Sequence, residues 1–346
     1  MFGRMMNNYY YGKSGKSDFR KDDLPHNRKE LFFDTLKTRL SGLCRINLLY
    51  MLIFLPVMIL LMSNMTHILS AAYTMTIISE SSDYAAYTET MTQAEQEVSI
   101  TEEQFLQLKD PNFRFTDLID SVLLRMLIWL IPCIAITGPF TAGLSYVTRN
   151  WARDEHAFIW TDFKDAVKAN WKQALVLSAI TSVIPLMVYL GWTFYGQMAA
   201  NNPIMYVPQV LILVVGILWA ISITYMHPLA ITYNLKMKDV IRNGLILGVA
   251  RLPMSVGIRL LHCVPAAIGA ALVWMWNPWY GAMALFAYYA LIGFSLSRFI
   301  TASYTNSVFD RFINPRIEGA KVNQGLHKSE DDDDDEDETG EGETEH

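Results

Sequence analysis

Four residues in one apolar stretch have the types and spacing to do chemistry: Arg251, Ser255, Arg259 and His262. They follow one another at steps of four, four and three, so a helix through them puts all four on one face. Ala266 and Gly269 continue that face with small residues, which suits packing inside a helical bundle. Ionisable groups in lipid are costly and are retained where they serve a function. The spacing therefore points to a cytoplasm-facing cavity for an anionic group, with Arg259 as its charge and His262 as a hydrogen-bond donor. The competing reading is structural, because the Arg259 stem is long enough to snorkel to the nearer interface.

What is missing bounds the chemistry further. No Asp or Glu lies deep in an apolar stretch, so a carboxylate relay for protons or sodium has no carrier. Arg125 sits near one end of its stretch, within reach of Asp117 or Asp120. The three cysteines, Cys44, Cys133 and Cys263, have neither disulfide-framework nor metal-site spacing, and read as small packing residues. The run Gly12-Lys13-Ser14-Gly15-Lys16-Ser17 has Tyr10 where a phosphate-binding loop needs glycine, and no strand precedes it. No Ser-His-Asp, HExxH or paired-carboxylate pattern occurs. The chain is expected to be no enzyme and to hold no cofactor or metal.

These residues need a frame. The chain is 52% hydrophobic and 18% charged, against about 25% charged in a typical soluble chain. A spanning helix takes about 20 mostly apolar residues. Six stretches qualify: 46–65, 118–137, 174–192, 207–226, 254–274 and 281–300. The fold class is all-α, a polytopic membrane protein with six transmembrane helices. Residues 1–28 are polar and contain no apolar core of a cleavable signal, so the first stretch is expected to be a retained anchor.

Orientation follows from Lys and Arg, which concentrate on the cytoplasmic side. Of 28 such residues, 24 fall in 1–45, 138–172, 227–253 and from Arg298 onward. The alternate connections 66–117, 193–206 and 275–280 hold two. Both termini are therefore expected in the cytoplasm. Trp192, Trp274, Trp276 and Trp279 at one set of ends, and Trp151, Trp160 and Trp171 at the other, fit interfacial belts.

Between the spans, the connection 66–117 carries nine acidic residues and two basic ones. It reads as a solvated face or a surface for cations or a partner. Residues 79–100 are poor in large apolar side chains, so order is not expected there. Thr101-Glu102-Glu103-Gln104 has the form of a capping box and predicts a short surface helix over 102–109. Residues 330–346 hold twelve acidic residues and no Lys or Arg, a composition that cannot bury a core. The remainder, net +6, has no compact Arg/Lys-rich module, so no nucleic acid is expected.

Before the first, third and fifth spans stands the same short pattern of Asp, any residue, aliphatic, basic: Asp34 to Lys37, Asp165 to Lys168 and Asp239 to Arg242. Each lead-in can form an amphipathic helix lying in the interface, and each following span has a proline, Pro56, Pro185 or Pro265. Three two-helix repeats, each led by an interfacial helix, are the expectation.

The stretch Ile136-Thr137-Gly138-Pro139-Phe140-Thr141-Ala142-Gly143-Leu144-Ser145-Tyr146-Val147, followed by Arg149 to Glu155 and Asn170-Trp171-Lys172-Gln173, resembles the YesL-like bacterial membrane proteins, a domain of unknown function numbered 624. Pro228 to Tyr233 and Leu235 to Leu252 are similar to that family's second half. The resemblance runs over about 118–314. It implies a bacterial cell-membrane helical protein with a role alongside carbohydrate uptake, and supplies no catalytic or binding residues. Outside it lie a cytoplasmic segment 1–45, an extra first span 46–65, the acidic loop 66–117 and the acidic tail 315–346. Two functions follow as expectations. One is transport-related: a solute permease, or an accessory to a carbohydrate importer. The other is a non-catalytic scaffold or regulator in the bilayer, which binds protein partners through its interfacial helices and acidic tail.

Overall fold

The computed structural model describes residues 25–110, 115–275 and 278–326. The acidic tail 330–346, the glycine- and lysine-containing run 12–17 and Asn277 lie outside them, as do the side chains of Trp274, Trp276 and Trp279. Among the described residues the regular structure is helical, and six helices are long and apolar enough to cross a membrane. These contain the six stretches read from the sequence. Their apolar outer faces, such as Leu52, Ile59, Leu211 and Leu260, are exposed, as lipid-facing residues must be.

The first helix, α1, runs over Arg28–Glu80 without a break. The side chain of Asn27 caps it by accepting from the amides of Lys29 and Glu30, which satisfies donors no helical carbonyl can reach. Its 53 residues make a rod of about 80 Å at 1.5 Å per residue, much longer than a bilayer needs. The lead-in at Asp34 to Lys37 is thus the base of the span, and no separate interfacial helix forms. The third lead-in behaves likewise: Asp165 to Lys168 belong to a helix continuous with the third span. Only before the fifth span does a separate helix stand, Met237–Ala250, ending at Arg251. The cause is Pro253, whose ring tolerates the first turn of a helix but not its interior.

The outer end of α1 corrects a second expectation. Within 79–100, a helix α2 forms over Tyr84–Gln93, followed by α3 over Glu102–Lys109. Tyr84, Tyr87 and Met91 share one face of α2. Ile77 and Ile78 at the end of α1, together with Phe105 on α3, complete a small core around them. The capping box on α3 is formed, with Thr101 and Gln104 bonded reciprocally. The ammonium of Lys109 donates to the carbonyls of Ser81 and Ser82, at 2.5 and 2.6 Å, where α1 ends.

Helices α4 (Phe115–Trp151) and α5 (Thr161–Ala199) form the most extensive helix pair. The glycines of the 136–147 stretch explain the closeness. A Cβ on Gly138 would lie 2.4 Å from the carbonyl oxygen of Ala174, and one on Gly143 would lie 2.9 Å from that of Phe163. Small residues are what allow helix backbones to approach in lipid. Helices α6 (Tyr206–Thr232) and α7 (Met237–Ala250) pack through Gly244 and Gly248 in the same manner. Helix α8 (Leu252–Met275) pairs with α9 (Pro278–Tyr288). The chain then makes a π-helical turn at Tyr289–Gly293 and continues as α10 (Phe294–Phe312).

The first span is part of the core of this domain. Leu43, Ile46 and Tyr50 of α1 pack with Leu144, Val147 and Phe299, and the Tyr50 hydroxyl lies 2.7 Å from Thr141 Oγ1. A second core joins Leu177, Tyr225, Leu229, Val240 and Phe309. At the end of the bundle where the described chain starts and finishes, Asp310 is buried. It pairs with Arg28, has Arg153 at 3.8 Å, and accepts from Asn314 and from the amide of Asn323. The start of α1, the loop after α4 and the segment after α10 meet in that one knot. Both ends of the described chain therefore lie on the same face.

Candidate functional site

The four sequence-selected residues share one face of α8, with Arg251 just before it, but they do different things. The Arg251 guanidinium stands over the Phe312 ring at 5.6 Å, a stacking role at the helix start. Ser255 is fully buried. Its hydroxyl donates to the Arg251 carbonyl at 2.8 Å and lies 2.6 Å from that of Tyr225, which in turn lies 2.8 Å from the Tyr304 hydroxyl. Those oxygens satisfy one another and bind α6, α8 and α10 together. Ser255 is thus occupied by packing, and Arg251 is stacked, with its Nε buried and unpartnered among the described residues.

Arg259 and His262 belong to a different group, completed by residues from other helices. The electrostatic neighbours of Arg259 and His262 include Arg298 on α10, and His227 on α6 lies within reach of both arginines. Arg259 Nε is buried with no hydrogen-bond partner among the described residues. Three ion pairs occur there, all at the terminal face, and none involves Arg259, Arg298 or Arg125. Two guanidiniums therefore stand in the domain interior without a carboxylate.

His262 does not act as the expected free donor. Its Nε2 lies 3.2 Å from the Ser297 carbonyl and 3.4 Å from Thr301 Oγ1, and the Thr301 hydroxyl itself donates to that same carbonyl. The tautomer protonated at Nε2 satisfies all three contacts, so this donor is spent tying α8 to α10. What remains for a ligand is the charge of the arginines.

Beside these groups is a cavity of about 180 Å³ between α1, α8 and the last span. Tyr50, Tyr289, His262, Ser297 and Arg298 are in its wall. It lies at the π-helical turn, and the local backbone explains why. A π turn disturbs the hydrogen-bond ladder, and in lipid the freed groups need partners. Asn47 of α1 supplies them. Its Nδ2 donates to the carbonyls of Tyr289 and Ala290 at 2.8 and 2.7 Å, and its Oδ1 accepts from the Ser295 amide at 2.9 Å. Asn47 is fully buried. The interruption is thus a supported feature, and π turns recur at functional sites.

Sequence reading missed Arg298 because it was counted as a flanking charge, whereas α10 continues well past it. Asn47 and Tyr50 were missed because the first span was set apart from the domain. The signal for Asn47 was present: an amide just inside an apolar stretch, which hydrocarbon does not tolerate unpaired.

Residues 121–192, essentially the α4–α5 pair, match the model of a family described as "Protein of unknown function, DUF624". The chain is also similar to the "Uncharacterized protein YesV" of Bacillus subtilis (strain 168), 24% identical over 127 residues, which cover 36% of this chain and 60% of that relative. No solved structure matches. The YesL-like resemblance read from the sequence is shown by these matches over the segment they cover. There the matched residues include Gly138 and Gly143, which have a packing role.

Proposed function

We propose that the protein is transport-related: a small-solute permease, or an accessory subunit of a carbohydrate importer, without catalytic activity of its own. The observation that carries this reading is the interrupted last span. A span whose hydrogen-bond ladder is disturbed by a π turn, stapled by a side chain from another span and bordering a cavity with an arginine in its wall, offers a solute polar groups within the bilayer. The reading places the terminal face in the cytoplasm of a bacterial cell, on the strength of the Lys and Arg asymmetry. The scaffold reading draws its support from the ordered cap of α2 and α3, whose acidic surface would suit a protein partner.

Two measurements separate these readings. The first is accumulation of labelled monosaccharides and hexuronates by proteoliposomes containing the full chain. The second is identification of proteins that co-purify in mild detergent. Uptake above that of empty liposomes, lost in Asn47→Leu, supports the permease; importer subunits co-purifying without uptake support the accessory role. Envelope proteins as the sole partners, with no uptake, would replace this reading with the scaffold.

A further inference from the structure

We propose that the cavity at the π-helical turn is an oxyanion site, built to hold a carboxylate or phosphate group on Arg298 in its wall, with the charge of Arg259 adding to the field there. This deepens the transport reading by naming the ligand class. Binding itself rests on the arginines alone.

A guanidinium is never deprotonated under ordinary conditions, so both residues carry full positive charge, and they interact with each other. Like charges brought together in a medium of low dielectric repel strongly. A protein that only needed packing would have a neutral residue at one of the two positions. The ion pairs of the described residues are all elsewhere, and the interior offers no carboxylate to neutralise either arginine.

Geometry points the same way. Among the described residues Arg259 Nε is a buried donor without a partner, as are the Nε atoms of Arg149 and Arg251, and an unpaired donor is expensive to keep. Arg298 reaches the cavity itself, next to Ser297 and Tyr50. An oxyanion there would offset the charge of the pair and accept from the Arg298 guanidinium, whose planar fork matches carboxylate and phosphate oxygens. Size limits the rest of the ligand. A cavity of about 150 Å³ is enough for benzene, so about 180 Å³ takes one ring or a short chain.

The same chemistry could come from a free solute or from the headgroup of an anionic lipid, and the experiment separates these. The purified full chain is placed in nanodiscs of phosphatidylcholine alone and titrated with inorganic phosphate, benzoate and benzyl alcohol, reading heat of binding and thermal unfolding. A parallel preparation contains phosphatidylglycerol. Saturable binding of phosphate or benzoate in the neutral discs, with benzyl alcohol inert, identifies a solute site. Stabilisation by phosphatidylglycerol alone, lost in Arg298→Gln, identifies the same oxyanion site filled by lipid. In either case Arg298→Gln and Arg259→Gln weaken binding by at least about tenfold, whereas Arg125→Gln, an exposed arginine on α4, leaves it unchanged.

Binding of benzyl alcohol as tight as that of benzoate overturns the proposal, because the cavity is then merely apolar. So does the absence of an effect from any of the anions or from phosphatidylglycerol on the wild-type chain, a result that does not depend on variants folding. Binding without uptake removes the permease and keeps the site; uptake without anion binding does the reverse.

Discussion

Asn47 and Asp310 show how single polar groups organise this domain. Asn47 satisfies two carbonyls and one amide of the last span. Replacing it with leucine keeps the volume close and removes all three bonds. Each buried group left unpaired costs on the order of 1–3 kcal/mol, so Asn47→Leu should lower the unfolding temperature in detergent clearly, and should alter the cavity more than the rest of the fold. An unchanged unfolding temperature would mean that the turn satisfies itself. Asp310 holds Arg28 and has Arg153 nearby. Asp310→Ala strands these cations, and breaking a buried pair from one side costs about 3–5 kcal/mol. The expected outcome is a chain that inserts but unfolds early at its terminal face, seen as faster proteolysis around residues 150–160 and 317–326. Equal protection there would contradict the role given to the knot.

Among the helices, the α4–α5 pair is the element most exposed to change. Gly138→Val would put a branched side chain where a Cβ alone already lies 2.4 Å from the Ala174 carbonyl. Backbone cannot yield as a side-chain tip can, so the variant should lose most of its monodisperse yield on size exclusion. Gly257, whose Cβ would meet nothing within 4 Å, is the control position, and Gly257→Ala should behave as wild type. The outer cap makes a separate prediction. Phe105 is almost fully buried against Tyr84 and Tyr87, and its loss costs about 3–5 kcal/mol by analogy with other core aromatics. Phe105→Ala should therefore expose residues 81–101 to protease while leaving the spans folded. Cleavage at the wild-type rate would show that the cap does not depend on its core.

At the scale of the whole molecule, the six spans were legible because lipid demands long apolar helices. The short helix at Glu102–Lys109 was legible because a capping box is a local signal. The α2 helix was not, since its partner surface is the far end of α1, and nothing near Tyr84 shows how far that helix extends. The interfacial helices expected before the first and third spans proved continuous with those spans, because neither lead-in contains a proline and a lone glycine, Gly42, does not end a helix. Half of the candidate site was legible on the same terms. The spacing of Arg259 and His262 on one helix can be read directly, whereas Arg298, Tyr50 and the π turn come to them from sequence distances no periodicity measures. The proposal at the centre of this reading is that a ligand enters, from the terminal face, the cavity lined by Tyr50, His262, Ser297 and Arg298. It is tested most directly by replacing Cys44, Cys133 and Cys263 with serine, changing Ser297→Cys, and exposing oriented vesicles to a membrane-impermeant thiol reagent with and without phosphate or benzoate. Labelling from the terminal face, with protection by at least one of the two anions, is the expected result. Labelling from the opposite face alone, or labelling that neither anion slows, would contradict it.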